Sequence, residues 1–248
     1  MKKNTHLIFG ATGGIGRALC RHLKHAGDEP ILFGRDPGKL NPLAADLGTK
    51  AYVSDCGDWE ALENLVAKVA DEDGPIDGVA VCIGSLLLKS AHLTSQDEFQ
   101  STLETNLTTT FGILRASVRP MMKHGGSIVL VSSAAARIGI ANHEAIAAAK
   151  AGVVGLTLSA AATYAARGIR VNCVAPGLTE TPMTERLTAN EAGRQASEAM
   201  HAMNRLGQPE DVARAIAWLL DREQAWVTGQ TLGVDGGLGS VVARRRTS

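Results

Sequence analysis

The chain has 248 residues, with 25 Lys+Arg balancing 25 Asp+Glu, so no broad basic face is expected for a nucleic-acid backbone. Apolar residues make up 45% and charged residues 20%, enough for a large core and too apolar for a disordered chain. Cys20, Cys56, Cys82 and Cys173 form no C-x-x-C pair, so neither a zinc site nor a disulfide framework is indicated.

In chain order, Met1-Lys2-Lys3 precedes a short apolar stretch that runs into glycines, unlike a secretory signal. Leu7-Ile8-Phe9 reads as a strand ending at Gly10, and Ile15, Ala18, Leu19, His22, Leu23 and Ala26 follow at helical spacing. Ile31-Leu32-Phe33 and Ala51-Tyr52-Val53 read as strands, with a helix predicted from about Trp59 to Ala70. Val79 to Ile83 reads as a buried strand with both faces covered. Ser95-Gln96-Asp97-Glu98 is a capping box opening a helix that runs to about Val118. Strands at Ser127–Val131 and Ile169–Val174 flank an Ala-rich helix, a helix starts at Gln208-Pro209-Glu210-Asp211, and Gln230–Val234 closes the series. The longest uncharged run, Ala151 to Ala166, is shorter than about 18 residues and carries Gly, Thr and Ser, so no membrane span is expected.

Strands alternating with helices predict a single-domain α/β fold: a Rossmann-type, doubly wound parallel sheet with helices on both faces. Residues 1–240 read as that domain, 241–248 as a basic tail carrying Arg244-Arg245-Arg246, and the expected location is the cytoplasm. Ligands of such sheets sit beyond the carboxyl ends of the strands.

Gly10-Ala11-Thr12-Gly13-Gly14-Ile15-Gly16 joins the first strand to the first helix. Bare backbone there approaches a pyrophosphate, and the helix start offers unpaired N–H groups, so a dinucleotide site is expected around Gly10, Thr12, Gly14, Ile15 and Gly16. An acid at the end of the second strand would bind a ribose 2′-hydroxyl. Gly34 stands there with Arg35 after it, which favours the 2′-phosphate of NADP over NAD. The plainer alternative for Arg35 is a surface pair with Asp36.

With these motifs in order, the chain resembles the short-chain dehydrogenase/reductase family over nearly its whole length. Gly10-x-x-x-Gly14-x-Gly16 matches the family's glycine loop, although Phe9 replaces the usual Thr. The resemblance implies that Asp55-Cys56 contacts adenine, that Asn106, Ser133 and Lys150 belong to the active site, and that Lys150 also binds the nicotinamide ribose. Arg170-x-Asn172-x-x-x-Pro176-Gly177, Thr181-Pro182-Met183 and Thr228-Gly229-Gln230 match later signatures. Pro176, Gly177 and Thr181 are thereby expected on the cofactor. The usual Asn-Asn-Ala-Gly is here Val81-Cys82-Ile83-Gly84, leaving Gly84 to let the backbone pass the cofactor. The resemblance also implies a small-molecule substrate and a homotetramer (or dimer) packed through the helices around Asn106 and Ile146–Tyr164. The segment from about 184 to 205 is expected to form a mobile lid.

The serious departure is Ile146, four residues before Lys150, where the family has the tyrosine that exchanges a proton with the substrate oxygen. Isoleucine has no such proton. Tyr164 lies about 21 Å further along the helix if it is continuous, and Tyr52 ends the third strand. Two replacements remain open: His143, or a water ordered between Ser133 and Lys150. Three functions therefore stand side by side. The first is an NADP-dependent oxidoreductase with a non-standard proton donor, the second a silent dinucleotide-binding sensor or scaffold, and the third a non-redox dehydratase or isomerase.

Overall fold

The structure is a computed structural model that describes residues 3–242. Strands β1 (Thr5–Phe9), β2 (Glu29–Gly34), β3 (Ala51–Val53), β4 (Gly78–Val81), β5 (Gly126–Val131), β6 (Ile169–Pro176) and β7 (Thr231–Val234) form one parallel sheet. Its order is β3-β2-β1-β4-β5-β6-β7, so the chain reverses direction of travel between β1 and β4 and opens a crevice there. Around the sheet lie α1 (Gly14–His25), α2 (Pro37–Leu47), α3 (Trp59–Asp73), α4 (Gln96–Leu103), α5 (Thr109–Met121), α6 (Glu144–Tyr164), α7 (Glu185–Thr188), α8 (Glu191–Met200) and α9 (Pro209–Leu220).

The period-2 alternation of the strands builds two cores. Leu7, Phe9, Ile31 and Phe33 point to one face, where Leu62 of α3, Ile113 of α5 and Val153 of α6 cover them. Ile8 and Leu32 point to the other, against Leu19 of α1, Leu40 of α2 and Ile216 of α9. On α9, Leu219 and Leu220 are core while Trp218 stays half in solvent. By length and apolar composition α6 passes for a membrane span, yet its inward face is packed against β6.

The expected helix from Ser95 to about Val118 is corrected. Its capping box forms, with Ser95 Oγ accepting the Glu98 N–H at 3.2 Å and the Glu98 carboxylate accepting the Ser95 N–H at 2.8 Å. After Leu103, however, residues Glu104–Thr108 wind as a π turn before α5 resumes and runs on to Met121. Polar side chains compete for the helix carbonyls there: Thr102 donates to the Glu98 carbonyl at 2.7 Å, Asn106 Nδ2 to the Thr102 carbonyl at 3.0 Å and Thr110 to the Asn106 carbonyl at 2.9 Å.

The strand expected through Ile83 stops at Val81, although the Cys82 N–H still donates to the Phe9 carbonyl at 2.8 Å. Helix α3 runs three residues past the expected Ala70, to Asp73. The Arg35–Asp36 pair does not form, because Asp36 caps α2 through the Gly38 N–H at 2.9 Å and lies 3.9 Å from Lys39. The 184–205 segment contains α7 and α8, and Arg244–Arg246 lie outside the described residues.

Candidate active site

The candidate residues gather at the carboxyl ends of the strands. Gly10 leaves β1 with φ of +79°, and a Cβ there would stand 2.9 Å from the Cys82 carbonyl, so only glycine lets these neighbouring strand ends approach. Helix α1 then begins at Gly14 without a side-chain cap and without an acid in its first turn. Its first N–H groups are free of side-chain partners and its positive dipole end is uncompensated, which suits a phosphate group. A Cβ on Gly14 would meet Thr181 Cγ2 at 2.7 Å, so the glycine loop and the chain beyond β6 close on each other.

Thr12 lies beside the end of β2, within 3.7 Å of where a Gly34 Cβ would stand. Arg35 is exposed next to it, and among the described residues no carboxylate lies within 4 Å of its guanidinium. Arg35 is near enough to Cys56 for its charge to oppose the effect of burial, which pushes the Cys56 thiol up to about 11. Asp55 is exposed and accepts the Gly57 N–H at 3.1 Å. The glycine loop, Thr12, Arg35, Asp55 and Cys56 thus border one end of the crevice. Uncapped helix, bare backbone and unpaired arginine fit a dinucleotide carrying a 2′-phosphate.

The other end gathers the candidate catalytic residues. Lys150 is only 6% exposed, and its Nζ donates to the Val131 carbonyl at 2.9 Å. Burial pushes this ammonium down to about 8, against the opposing influence of the Cys173 and Cys82 thiols. Beside it, a Cβ on Gly84 would stand 3.1 Å from Asn106 Oδ1 and 3.4 Å from Lys150 Nζ. Asn106 is fully buried; its Oδ1 accepts the Ser85 N–H at 3.1 Å and its Nδ2 donates to Ser85 Oγ at 2.9 Å. Ile146 sits one turn before Lys150 on α6 and is 3% exposed. Helix α6 is continuous to Tyr164, which holds that phenol at the far end, and Tyr52 points to Glu72 at 3.4 Å.

The two serines after β5 divide their work. Ser132 is buried and donates to the Lys150 carbonyl at 2.8 Å, fastening α6 to the sheet. Ser133 is partly exposed; its Oγ accepts the Ala135 N–H at 3.2 Å and keeps its own proton available. His143 stands at the start of α6, with Nδ1 2.7 Å from the Ala141 carbonyl. No hydrogen bond joins its ring to Ser133 or Lys150. Glu144, in the first turn of α6, reaches the Ala91 N–H at 3.4 Å.

Pro176 ends β6 at the mouth of the crevice, and the N–H of Gly177 after it donates to the Val234 carbonyl at 3.1 Å. Two participants escaped sequence reasoning. Ser85 carried one faint signal, its place directly after Gly84, whereas the Val131 carbonyl carried none, being backbone. A cavity of about 790 Å³ opens elsewhere, at the amino ends of β5 and β6 around Ser127, Ile169 and Trp226. It lies at the opposite end of the sheet from Lys150 and contains none of these candidates.

A sequence model of the family described as enoyl-(acyl carrier protein) reductase matches residues 10–239. The 3-oxoacyl-[acyl-carrier-protein] reductase FabG of Vibrio cholerae is 36% identical over 239 residues, covering 94% of this chain and 96% of that protein. The chain belongs to the short-chain dehydrogenase/reductase family. With that membership it is assigned to the oxidoreductases. A short-chain type dehydrogenase/reductase from Mycobacterium ulcerans superposes with a TM-score of 0.92 at 28% identity, over 96% of this chain and 90% of that one. The structure of ElxO with NADP bound superposes with a TM-score of 0.91 at 26% identity, over 97% of this chain and all of the other.

Proposed function

We propose that the protein is an NADP(H)-dependent oxidoreductase acting on a small carbonyl or alcohol substrate, with Lys150 as the source of the proton. The observation that carries this reading is a buried ammonium, pushed down to about 8, beside Gly84 and Asn106 in a site whose nearest turn of α6 offers only Ile146. A 2′-phosphorylated dinucleotide suits Arg35, Thr12 and the uncapped start of α1, and the NADP-bound ElxO structure supports the same cofactor.

A bound dinucleotide supplies or accepts the hydride; the chain's residues handle the proton. Ser133 offers its free hydroxyl hydrogen to the substrate oxygen. In the direction of reduction, each hydride gained by a carbonyl carbon requires one proton on its oxygen. Lys150 gives up that proton through a water held against Ser133, then regains one from solvent. Only the Val131 carbonyl engages its Nζ among the described residues, so two of its three N–H groups are left for ribose and water. Asn106 keeps the Gly84-Ser85 backbone in place beside it. His143, tied to the Ala141 carbonyl, is the less favoured donor.

The names of the FabG relatives make a 3-oxoacyl thioester the first substrate to try. The test is NADPH consumption on a panel of 3-oxoacyl thioesters, ketones and aldehydes, with Ser133→Ala and Lys150→Met as controls. Turnover that both substitutions abolish supports the reading, and no turnover above background on any substrate overturns it. The buried, protonless Ile146 favours a second reading, a dinucleotide-binding sensor, which expects NADPH binding without turnover. A non-redox dehydratase or isomerase expects no dependence on NADP(H).

The proposal extends to assembly as a homotetramer. Phe99 of α4, Phe111 of α5 and Leu158 of α6 are exposed apolar side chains on the helices expected at subunit contacts.

A further inference from the structure

We infer that His201 is a positioning residue for the site, stapling the lid to the loop beyond β6 only while its imidazole is neutral. The inference rests on the reading that this end of the sheet receives cofactor and substrate. His201 directly follows α8 and is 4% exposed. Its Nε2 accepts the Leu178 N–H at 3.1 Å, and its Nδ1 lies 2.8 Å from the Ser197 carbonyl. A backbone N–H can only donate and a carbonyl can only accept, so the ring is held as the neutral tautomer with hydrogen on Nδ1. A Cβ on Gly177 would stand 2.7 Å from Nε2, so ring and loop are in close contact.

The staple joins the end of α8 to the segment that leads back to the phosphate loop. Leu178 follows Pro176-Gly177, and three residues further Thr181 packs against Gly14 of the phosphate loop. The first half of α8 is tied by a different contact, Arg194 to Glu180 at 2.5 Å. Ion pairing there persists at mildly acidic pH, because hydrogen bonds from Gln208 and Arg194 hold the Glu180 carboxyl below its usual range. At the buried end His201 is the one side chain that bonds the Leu178 N–H, beside backbone bonds from Met203 to the Gly236 carbonyl at 3.0 Å and from Gly207 to the Leu178 carbonyl at 2.9 Å.

Protonation converts Nε2 from acceptor to donor and sets it against the Leu178 N–H, at a site with no compensating charge. From α8, the Glu198 carboxylate is engaged by Arg194 at 3.1 Å. From beyond β7, Asp235 gives its oxygens to the Gly237 and Gly239 N–H groups at 2.9 and 3.0 Å. Arg137 lies near Gly233 and Arg205 is paired with Asp211 at 2.7 Å, so neither offers the ring a negative charge. Among the described residues no carboxylate oxygen lies within 4 Å of either ring nitrogen. The bond to the Leu178 N–H therefore requires a neutral ring, and protonation breaks this contact.

The experiment is amide hydrogen exchange on the full chain without dinucleotide, at about pH 8 and about pH 5.5, either side of the usual histidine transition. Protection of the Leu178 amide and of the α8 amides, corrected for intrinsic exchange rate, is expected to fall about tenfold at the lower pH relative to β5, the size of one lost buried hydrogen bond. In His201→Gln, whose side-chain carbonyl accepts at either pH, the fall is expected to vanish; in His25→Gln, on the exposed surface of α1, it is expected to persist. A wild-type protein with equal protection at both pH values overturns the inference, as does an equal fall in His201→Gln. Because no NADPH or substrate is present, this result is independent of the turnover assay.

Discussion

The Lys150 ammonium donates to the Val131 carbonyl at 2.9 Å, tying the second turn of α6 to the last residue of β5. Ser132 answers from the other side by donating to the Lys150 carbonyl at 2.8 Å. Helix and strand end are thus clamped around one side chain, with no hydrogen bond supplied from the side chain of Ile146.

Restoring the phenol is the most direct test of that geometry. Ile146→Tyr is expected to raise kcat on simple ketones at least tenfold, since a positioned general acid contributes about 10²–10⁴-fold. Because Ile146 is 3% exposed, the larger ring should also lower stability by about 1–3 kcal/mol through overpacking. Steady-state kinetics and a thermal melt read the two effects separately.

The pH profile follows from Lys150. With its ammonium pushed down to about 8, kcat for carbonyl reduction should be flat below pH 7 and fall as pH rises through about 8. Lys150→Arg, whose guanidinium does not deprotonate, should remove that limb along with most of the activity. Stability should respond with the opposite sign. The unfolded lysine binds its proton more tightly than the folded one, so between about pH 8 and 10.5 unfolding is progressively disfavoured as pH rises.

Cofactor choice tests Arg35. Its replacement by Ala should raise the KM for NADPH about 10–100-fold, the worth of a charge-assisted contact to phosphate, and leave the KM for NADH within about twofold. Equal weakening of both cofactors would place Arg35 away from the 2′-phosphate.

Assembly tests the outer face of α6. Leu158 is 54% exposed in one chain, so Leu158→Glu should leave the folded monomer intact while breaking the oligomer, as read by light scattering after gel filtration. An unchanged mass would show that Leu158 is not at a contact.

Hydrophobic periodicity was enough to order β1 through β7 and to put the glycine loop between β1 and α1, because those features repeat within a few residues of each other. The interruption at Glu104–Thr108 was hidden because Thr102, Asn106 and Thr110 look like ordinary helical residues until their side chains bond the backbone. The resemblance singled out Ser133, whereas the part played by Ser132, which bonds the Lys150 carbonyl, depends on which way its side chain points.

Identity along the chain settled that a bare-backbone loop would meet the first helix and that position 146 would carry no exchangeable proton; both are properties of the residues themselves. Packing decided the rest. The lowered ammonium of Lys150 depends on how much water the fold removes, and its anchor at Val131, like the His201 staple at Leu178, is a peptide group. Nearly every residue carries that same group, so only the fold can choose which copy stands within hydrogen-bonding reach.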